Sequence, residues 1–197
     1  MSFENAYSKT NRLEGGYSNH PSDRGGETWA GISRKHFPGW AGWKIIDSLK
    51  TASNFPRNLA GHPLLEQYKK EFYKREFWDK LRLSEIRNEA IAIKLYDIAV
   101  NCGISFTVRI LQRTLNVANQ KGKYYPDLKV DGVIGPKTID AVNKHPKPDV
   151  IFKCLNVLQG AHYIQITEGR ESNEDFLNGW FLNRIASVVS QNDSYYA

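Results

Sequence analysis

Along most of this chain, apolar positions recur with a period near 3.6, and each such stretch predicts a helix with one face turned inward. The first runs from Phe3 to Leu13, where Phe3, Ala6, Tyr7, Thr10 and Leu13 share a face and Ser2 offers a cap. Ser33 to Phe37 predicts a short helix stopped by Pro38 and Gly39; after Trp40 and Trp43, Ile45, Ile46 and Leu49 predict a weakly helical segment. Thr51 to Gly61 reads as loop. From Pro63, the positions Leu64, Leu65, Tyr68, Phe72 and Tyr73 form a strong inward stripe. Lys69, Lys70, Lys74 and Arg75 fall on its solvated side, and Glu76-Phe77-Trp78 ends it.

Asn88 to Cys102 is the most apolar helical pattern, with Ile91, Leu95, Ile98 and Cys102 in line, and is the expected central helix. Its last turns carry Tyr96, Asp97 and Asn101, polar groups that must bond one another, a loop or a ligand if buried. Thr107 to Ala118 predicts the next helix, with Val108, Leu111 and Leu115 inward. Asn119 to Lys129 is polar loop, and the turn Asp131 to Pro136 sets up a helix at Lys137 or Thr138. Asp149 is expected to cap a helix from Val150 to about Glu168, with Ile151, Leu155, Leu158, His162 and Gln165 along one stripe. The last helix is expected from about Asp175 to Val189, with a polar tail from Ser190. The fold class is therefore mainly α.

One stretch breaks this rhythm. Leu13 to Gly31 holds closely spaced glycines, carboxylates and a proline, a composition that does not fill a core. Glu14 continues the first helix face, and Gly15-Gly16 can end that helix, leaving the carboxylate at a helix C-terminus on the apolar side. Desolvation and the negative end of the helix dipole both disfavour its ionisation, and a carboxylic acid kept protonated near neutral pH can act as a general acid. Asp23 follows in a polar segment broken by Pro21, Gly25 and Gly26. Tyr17 to Ile32 reads as a small β-hairpin or ribbon folding back over the helix end, which would bring Asp23 and Thr28 near Glu14. Two carboxylates in unlike surroundings are what glycosidic bond cleavage needs.

The chain has 197 residues, enough for a substantial core in one domain or two small lobes. Its net charge of +6 predicts attraction to anionic polymers. With no dense Lys/Arg tract and no nucleic-acid motif, the expectation is an acidic wall polymer or lipopolysaccharide and no nucleic acid. No signal peptide or membrane span is recognisable, which predicts synthesis in a reducing cytoplasm. Cys102 and Cys154 read as small buried hydrophobes, with a disulfide left open. The five histidines lack metal-ligand spacing, no cofactor motif is present, and no nucleophile signature accompanies them; the expectation is no metal, no cofactor and a monomer.

Glu14-Gly15-Gly16-Tyr17, Asp23, Gly25-Gly26-Glu27-Thr28 and Gly31-Ile32 together resemble the signature of glycoside hydrolase family 108, lysozyme-like N-acetylmuramidases that include many phage endolysins. The Glu-x8-Asp-x4-Thr spacing is similar to the triad of T-even phage lysozymes, with one residue fewer before the threonine. Phe77-Trp78, the run Asp97 to Gly103, and Phe176, Gly179, Trp180 and Arg184 also resemble that family, and VDGVIGPKT resembles an element of peptidoglycan-binding helical modules. The resemblance implies a lysozyme-like helical fold with a β-hairpin after the first helix and two lobes sharing one core. Residues 1–98 would form the catalytic region and 99–197 a peptidoglycan-binding-like region. It implies hydrolysis of the β-1,4 bond between N-acetylmuramic acid and N-acetylglucosamine in bacterial peptidoglycan. Glu14 would be the general acid, and Asp23, helped by Thr28, would position water. Tyr17, Gly31, Tyr96, Asp97 and Asn101 would contact substrate. An endolysin would reach the wall by holin-dependent release. A lytic transglycosylase on the same bond and a non-catalytic wall-binding module are the alternatives.

Overall fold

The computed structural model describes residues 3–11, 16–19 and 26–185. The chain divides into two compact units, Ser2–Lys80 and Leu81–Ala197, with Met1 grouped with the second.

The N-terminal unit opens with α1, Phe3–Thr10, which buries Phe3, Ala6 and Thr10 as its pattern predicts. The fold-back is a three-stranded antiparallel sheet: β1 Tyr17–Ser18, β2 Thr28–Trp29 and β3 Ile32–Ser33, in that order. Ser18 faces Thr28, and Trp29 faces Ile32. Between β2 and β3, Ala30 (φ 46°) and Gly31 (φ 78°) form a two-residue turn whose positive φ values match the twist of paired strands. Ala30 is held in this conformation from both sides: its N–H donates to the Gly16 carbonyl at 3.1 Å, and its carbonyl accepts the Tyr73 hydroxyl at 2.9 Å.

Because Ser33 belongs to β3, the short helix expected over 33–37 is a correction: only one turn closes, Phe37 N–H to the Ser33 carbonyl at 2.9 Å. Pro38 has no N–H to continue it. The segment expected to be weakly helical is a full helix, α2, Gly42–Leu49. Trp29 stacks on Trp40 (5.6 Å, 17°), and Trp43 meets Trp40 edge-on (5.2 Å, 85°). Gly42 lies against the Trp40 ring, where an added Cβ would sit 2.1 Å from Cη2, so glycine is what lets α2 start there.

The 51–61 loop contains a single 3-10 turn, Arg57–Leu59, that buries Leu59. α3, Pro63–Tyr73, buries Leu65, Phe72 and Tyr73 but leaves Leu64 exposed, contrary to the inward stripe expected. It does not end at Glu76 but widens into a π-helical turn, Lys74–Asp79, that carries Trp78 into the core. Lys69 is also not simply solvated: its ammonium lies 5.5 Å from the centre of the Trp29 ring and pairs with Glu66 at 2.5 Å.

The C-terminal unit is helical throughout its described elements. α4, Glu89–Cys102, is capped by Asn88, whose Oδ1 accepts the Ile91 N–H at 3.0 Å, and buries Ile91, Leu95 and Ile98 completely. Gly103, at φ 88°, turns the chain directly into α5, Ile104–Ala118, which starts three residues before the expected Thr107. α6, Pro136–Lys144, and α7, Pro148–Glu168, both begin on proline, so Asp149 sits inside the first turn of α7 rather than capping it. α7 packs against α4 and α5. Its buried row is Ile151, Leu155, Gln159, Tyr163 and Thr167, whereas Leu158 and His162 are half-buried and Gln165 is exposed. The apolar stripe read from sequence is thus rotated, because Gln159 and Tyr163 have polar partners waiting on α4. α8, Glu174–Trp180, continues into a π-helical turn, Phe181–Ile185; Val188, Val189 and the tail lie outside the described residues.

Candidate functional site

Of the three residues expected to carry catalysis, Glu14 and Asp23 lie outside the described residues, as does the 20–25 segment. Thr28 stands on β2, and its hydroxyl donates to the Gly26 carbonyl at 3.1 Å, leaving the oxygen lone pairs to accept from a further group. Tyr17 on β1 is half-buried, packs edge-on against Phe55 at 4.8 Å, and donates its hydroxyl to Glu27 Oε1 at 3.0 Å. Burial first, then the bond to Glu27, pushes the Tyr17 pKa up, so the phenol stays protonated. Gly31 is exposed at the β2–β3 turn, where its positive φ is a structural requirement.

Sequence reasoning passed over Glu27, which the sheet makes a hub. Besides Tyr17, its carboxylate meets Arg34 Nε at 2.7 Å and Lys50 Nζ at 2.7 Å. Arg34 also grips Asp47 with two bonds of 2.6 and 3.0 Å and lies 4.5 Å over the Trp43 ring. The bonds from Arg34, then that from Lys50, hold the Asp47 carboxyl down to about 2. The signal for Glu27 was its place in the Gly25-Gly26-Glu27-Thr28 run, but its partners come from 7 and 23 positions further on. Flanked by two cations and bonded to Tyr17, Glu27 ties the strands to α2.

In the C-terminal unit, Tyr96 is fully buried and Asp97 is 7% exposed. Asp97 Oδ1 accepts Arg184 Nη1 at 2.8 Å, and Gln159 reaches Oδ2 at 3.5 Å. Gln159 also donates to the Tyr163 hydroxyl at 2.8 Å, and that hydroxyl donates to Asn101 Oδ1 at 2.7 Å. Lys94, with no exposed surface, donates to the Arg184 carbonyl at 3.0 Å, and burial lowers its pKa to about 8. The polar groups on α4 thus join α7 and the Phe181–Ile185 turn, and Asp97 and Tyr96 serve the interior of their own unit. Asn101 is half-buried. Arg184 stands in a run that resembles the family, but no local pattern pairs Gln159, Tyr163, Lys94 or Arg184 with partners 62 to 90 positions away. Cys102 and Cys154 are both free, and burial raises the Cys102 thiol to about 11, which disfavours a thiolate nucleophile.

The VDGVIGPKT element is structural in its contacts. Gln112 accepts the Gly132 N–H at 3.0 Å and donates to Asp131 at 2.9 Å. Between α5 and α7, Arg113, Thr114, Val117, Cys154, Val157 and Leu158 line a groove of 260 Å³, too apolar to orient a sugar. Among the described residues no group of three or more His, Cys, Asp or Glu could hold a metal ion, and no helix is long and apolar enough to cross a membrane.

Residues 7–103 match Glycosyl hydrolase 108, and residues 106–185 match the Predicted Peptidoglycan domain. The family boundary therefore follows α4, while the structural division precedes it. The structure of Brucella abortus SagA is similar, with 25% identity and a TM-score of 0.61 over 94% of this chain and 90% of that one. No curated protein matches the chain. With the two matched regions in order along the chain, residues 7–103 belong to glycosyl hydrolase family 108, and the protein is a glycoside hydrolase that acts on peptidoglycan.

Proposed function

We propose that this enzyme is an N-acetylmuramidase that hydrolyses the β-1,4 bond between N-acetylmuramic acid and N-acetylglucosamine, with Glu14 as general acid. The Glu14 proton passes to the glycosidic oxygen as the bond from the anomeric carbon breaks. Water attacks that carbon from the opposite face and gives its proton to Asp23, which inverts the configuration. Thr28 aligns the water through its free lone pairs, and Tyr17, Gly31 and Asn101 contact the glycan. Residues 1–98 form the catalytic region and 99–197 the wall-binding region. The endolysin role, with cytoplasmic synthesis and holin-dependent release, is proposed on the family resemblance.

The observation that carries this reading is the way the sheet ties together the chain neighbours of both acids. Gly16 is bonded to Ala30 beside β2, and Gly26 to Thr28 on β2. Glu14 stands two positions before Gly16 in sequence, and Asp23 three positions before Gly26.

Product analysis on purified peptidoglycan tests the proposal. Wild type should release reducing N-acetylmuramic ends, and Glu14→Gln none. Anhydromuramic ends would show a lytic transglycosylase instead, and clearing by Glu14→Gln equal to wild type would remove Glu14 from the role.

A further inference from the structure

We propose that Phe176 presents a stacking platform for a pyranose ring of the glycan strand, separate from the catalytic sheet. Phe176 is the outer rung of a ladder of three rings stacked pairwise. Tyr163 on α7 stacks on Trp180 at 4.9 Å and 24°, and Trp180 stacks on Phe176, one helical turn earlier on α8, at 6.0 Å and 24°. The inner rung is held on several sides: Tyr163 is fully buried, bonded to Asn101 and Gln159, and braced edge-on by Phe181 at 6.2 Å. The outer rung is 57% exposed. A scattered exposed phenylalanine needs no explanation. This one stacks on a neighbouring ring and is more than half exposed, so a ligand that stacks on it need not pay to order it.

The chemistry selects the ligand. The negative π face attracts the weakly positive C–H groups on the flat side of a pyranose. Just before the ring, the exposed carboxylates of Glu171, Glu174 and Asp175 repel anionic lipid headgroups and the carboxylates of stem peptides. Those same carboxylates accept hydrogen bonds from sugar hydroxyls and acetamido N–H groups. A neutral stretch of amino-sugar ring fits both conditions. The inference rests on peptidoglycan being the polymer and does not depend on Glu14 being the acid.

Co-sedimentation of the full chain with intact sacculi, with glycan strands stripped of peptides, and competition by soluble stem peptide form the test. It is run on ice with wild type and repeated in Glu14→Gln, so that cleavage does not blur binding. Phe176→Ala should weaken binding to both sacculi and stripped strands by roughly two- to tenfold. Phe176→Trp should restore it and Phe176→Leu should not, while hydrolysis of short soluble fragments stays at the wild-type rate. Unchanged binding by Phe176→Ala, full binding by Phe176→Leu, or binding abolished by stem peptide alone would each overturn the proposal. If hydrolysis is absent yet binding still depends on Phe176, the muramidase reading fails and the platform stands; the reverse pattern removes the platform only.

Discussion

The N-terminal unit fills its interior with rings and keeps its charges near the surface; the C-terminal unit fills its interior with aliphatic side chains and takes charges inside. In the first, Trp29, Trp40, Trp43, Phe72, Tyr73 and Trp78 are buried, and Glu27, Arg34, Asp47 and Lys50 form a partly exposed cluster beside the sheet. In the second, Ile91, Leu95, Leu111, Leu115, Ile151 and Leu155 are buried, and so are Lys94, Asp97 and Arg184. Rings stack in few geometries and so define their own register. Aliphatic helix faces slide more easily, and a hydrogen-bond network with one satisfactory arrangement fixes them. We therefore expect the first unit to be sensitive to shape and the second to charge.

The largest effect should come from Asp97→Ala, which leaves Arg184 buried without its counter-charge beside Lys94. We expect a loss of about 3–5 kcal/mol of unfolding free energy, measured by urea denaturation. The sharper comparison is Asp97→Leu combined with Arg184→Met, which should cost less than Asp97→Leu alone because the guanidinium leaves with its carboxylate and only Lys94 keeps a buried charge. Equal losses for the single and double variants would mean that the pair's geometry, rather than charge compensation, is what matters.

Next comes the pH dependence of Lys94. Its folded pKa of about 8 lies below the ordinary 10.5, so between those values the unfolded chain binds more protons and stability must rise with pH. The full rise is roughly 3 kcal/mol, and the stabilising contribution is lost as pH falls through 8. Cys102, raised from 9.0 to about 11, acts in the opposite direction over that interval. The measurement is therefore the difference in stability between wild type and Lys94→Met across pH 7.5 to 10.5. A difference independent of pH would show that Lys94 is not titrating in the fold.

Gly42→Ala probes the ring-packed unit at about 1–3 kcal/mol. An added methyl would drive into the Trp40 ring, whose position is shared by Trp29, Trp43 and Phe72. The tryptophan near-ultraviolet circular dichroism should change along with stability. A stable variant with unaltered signal would mean that Trp40 has another place to go.

Much of this architecture is legible in sequence because an amphipathic helix declares itself locally. The apolar face of α4, the inward residues of α5, the proline start of α3 and, to within a residue or two, the start of α6 all follow from spacing and end signals. What escapes is decided at a distance. Gln159 and Tyr163 are buried because Asp97 and Asn101 meet them from α4, so the stripe of α7 turns toward polar residues that a hydropathy pattern assigns outward. Ser33 looks like the start of a helix until Thr28 pairs with it. For the site, the ribbon with Tyr17, Thr28 and Gly31 is local and was readable; the Glu27 hub was not, since a lone glutamate beside glycines says nothing of the cations that will reach it.

The smallest expected effect concerns the charges beside the sheet, where the two units differ most. Asp47 is about half exposed and Arg34 about a third, so their two-bonded pair is screened by water even though its geometry is good. Asp47→Asn should cost about 0.5 kcal/mol or less, and the loss should fade at 1 M salt, where screening acts over about 3 Å. Glu27 is different, at 12% exposure and with three partners. Glu27→Gln leaves Arg34 and Lys50 facing each other across a neutral amide, so its cost should exceed that of Asp47→Asn and persist in salt. The two variants, compared at low and high salt by the same denaturation experiment, separate a surface ion pair from a clamp on the strands. If both losses vanish together in salt, Glu27 is only another surface charge and the sheet is held by its rings alone.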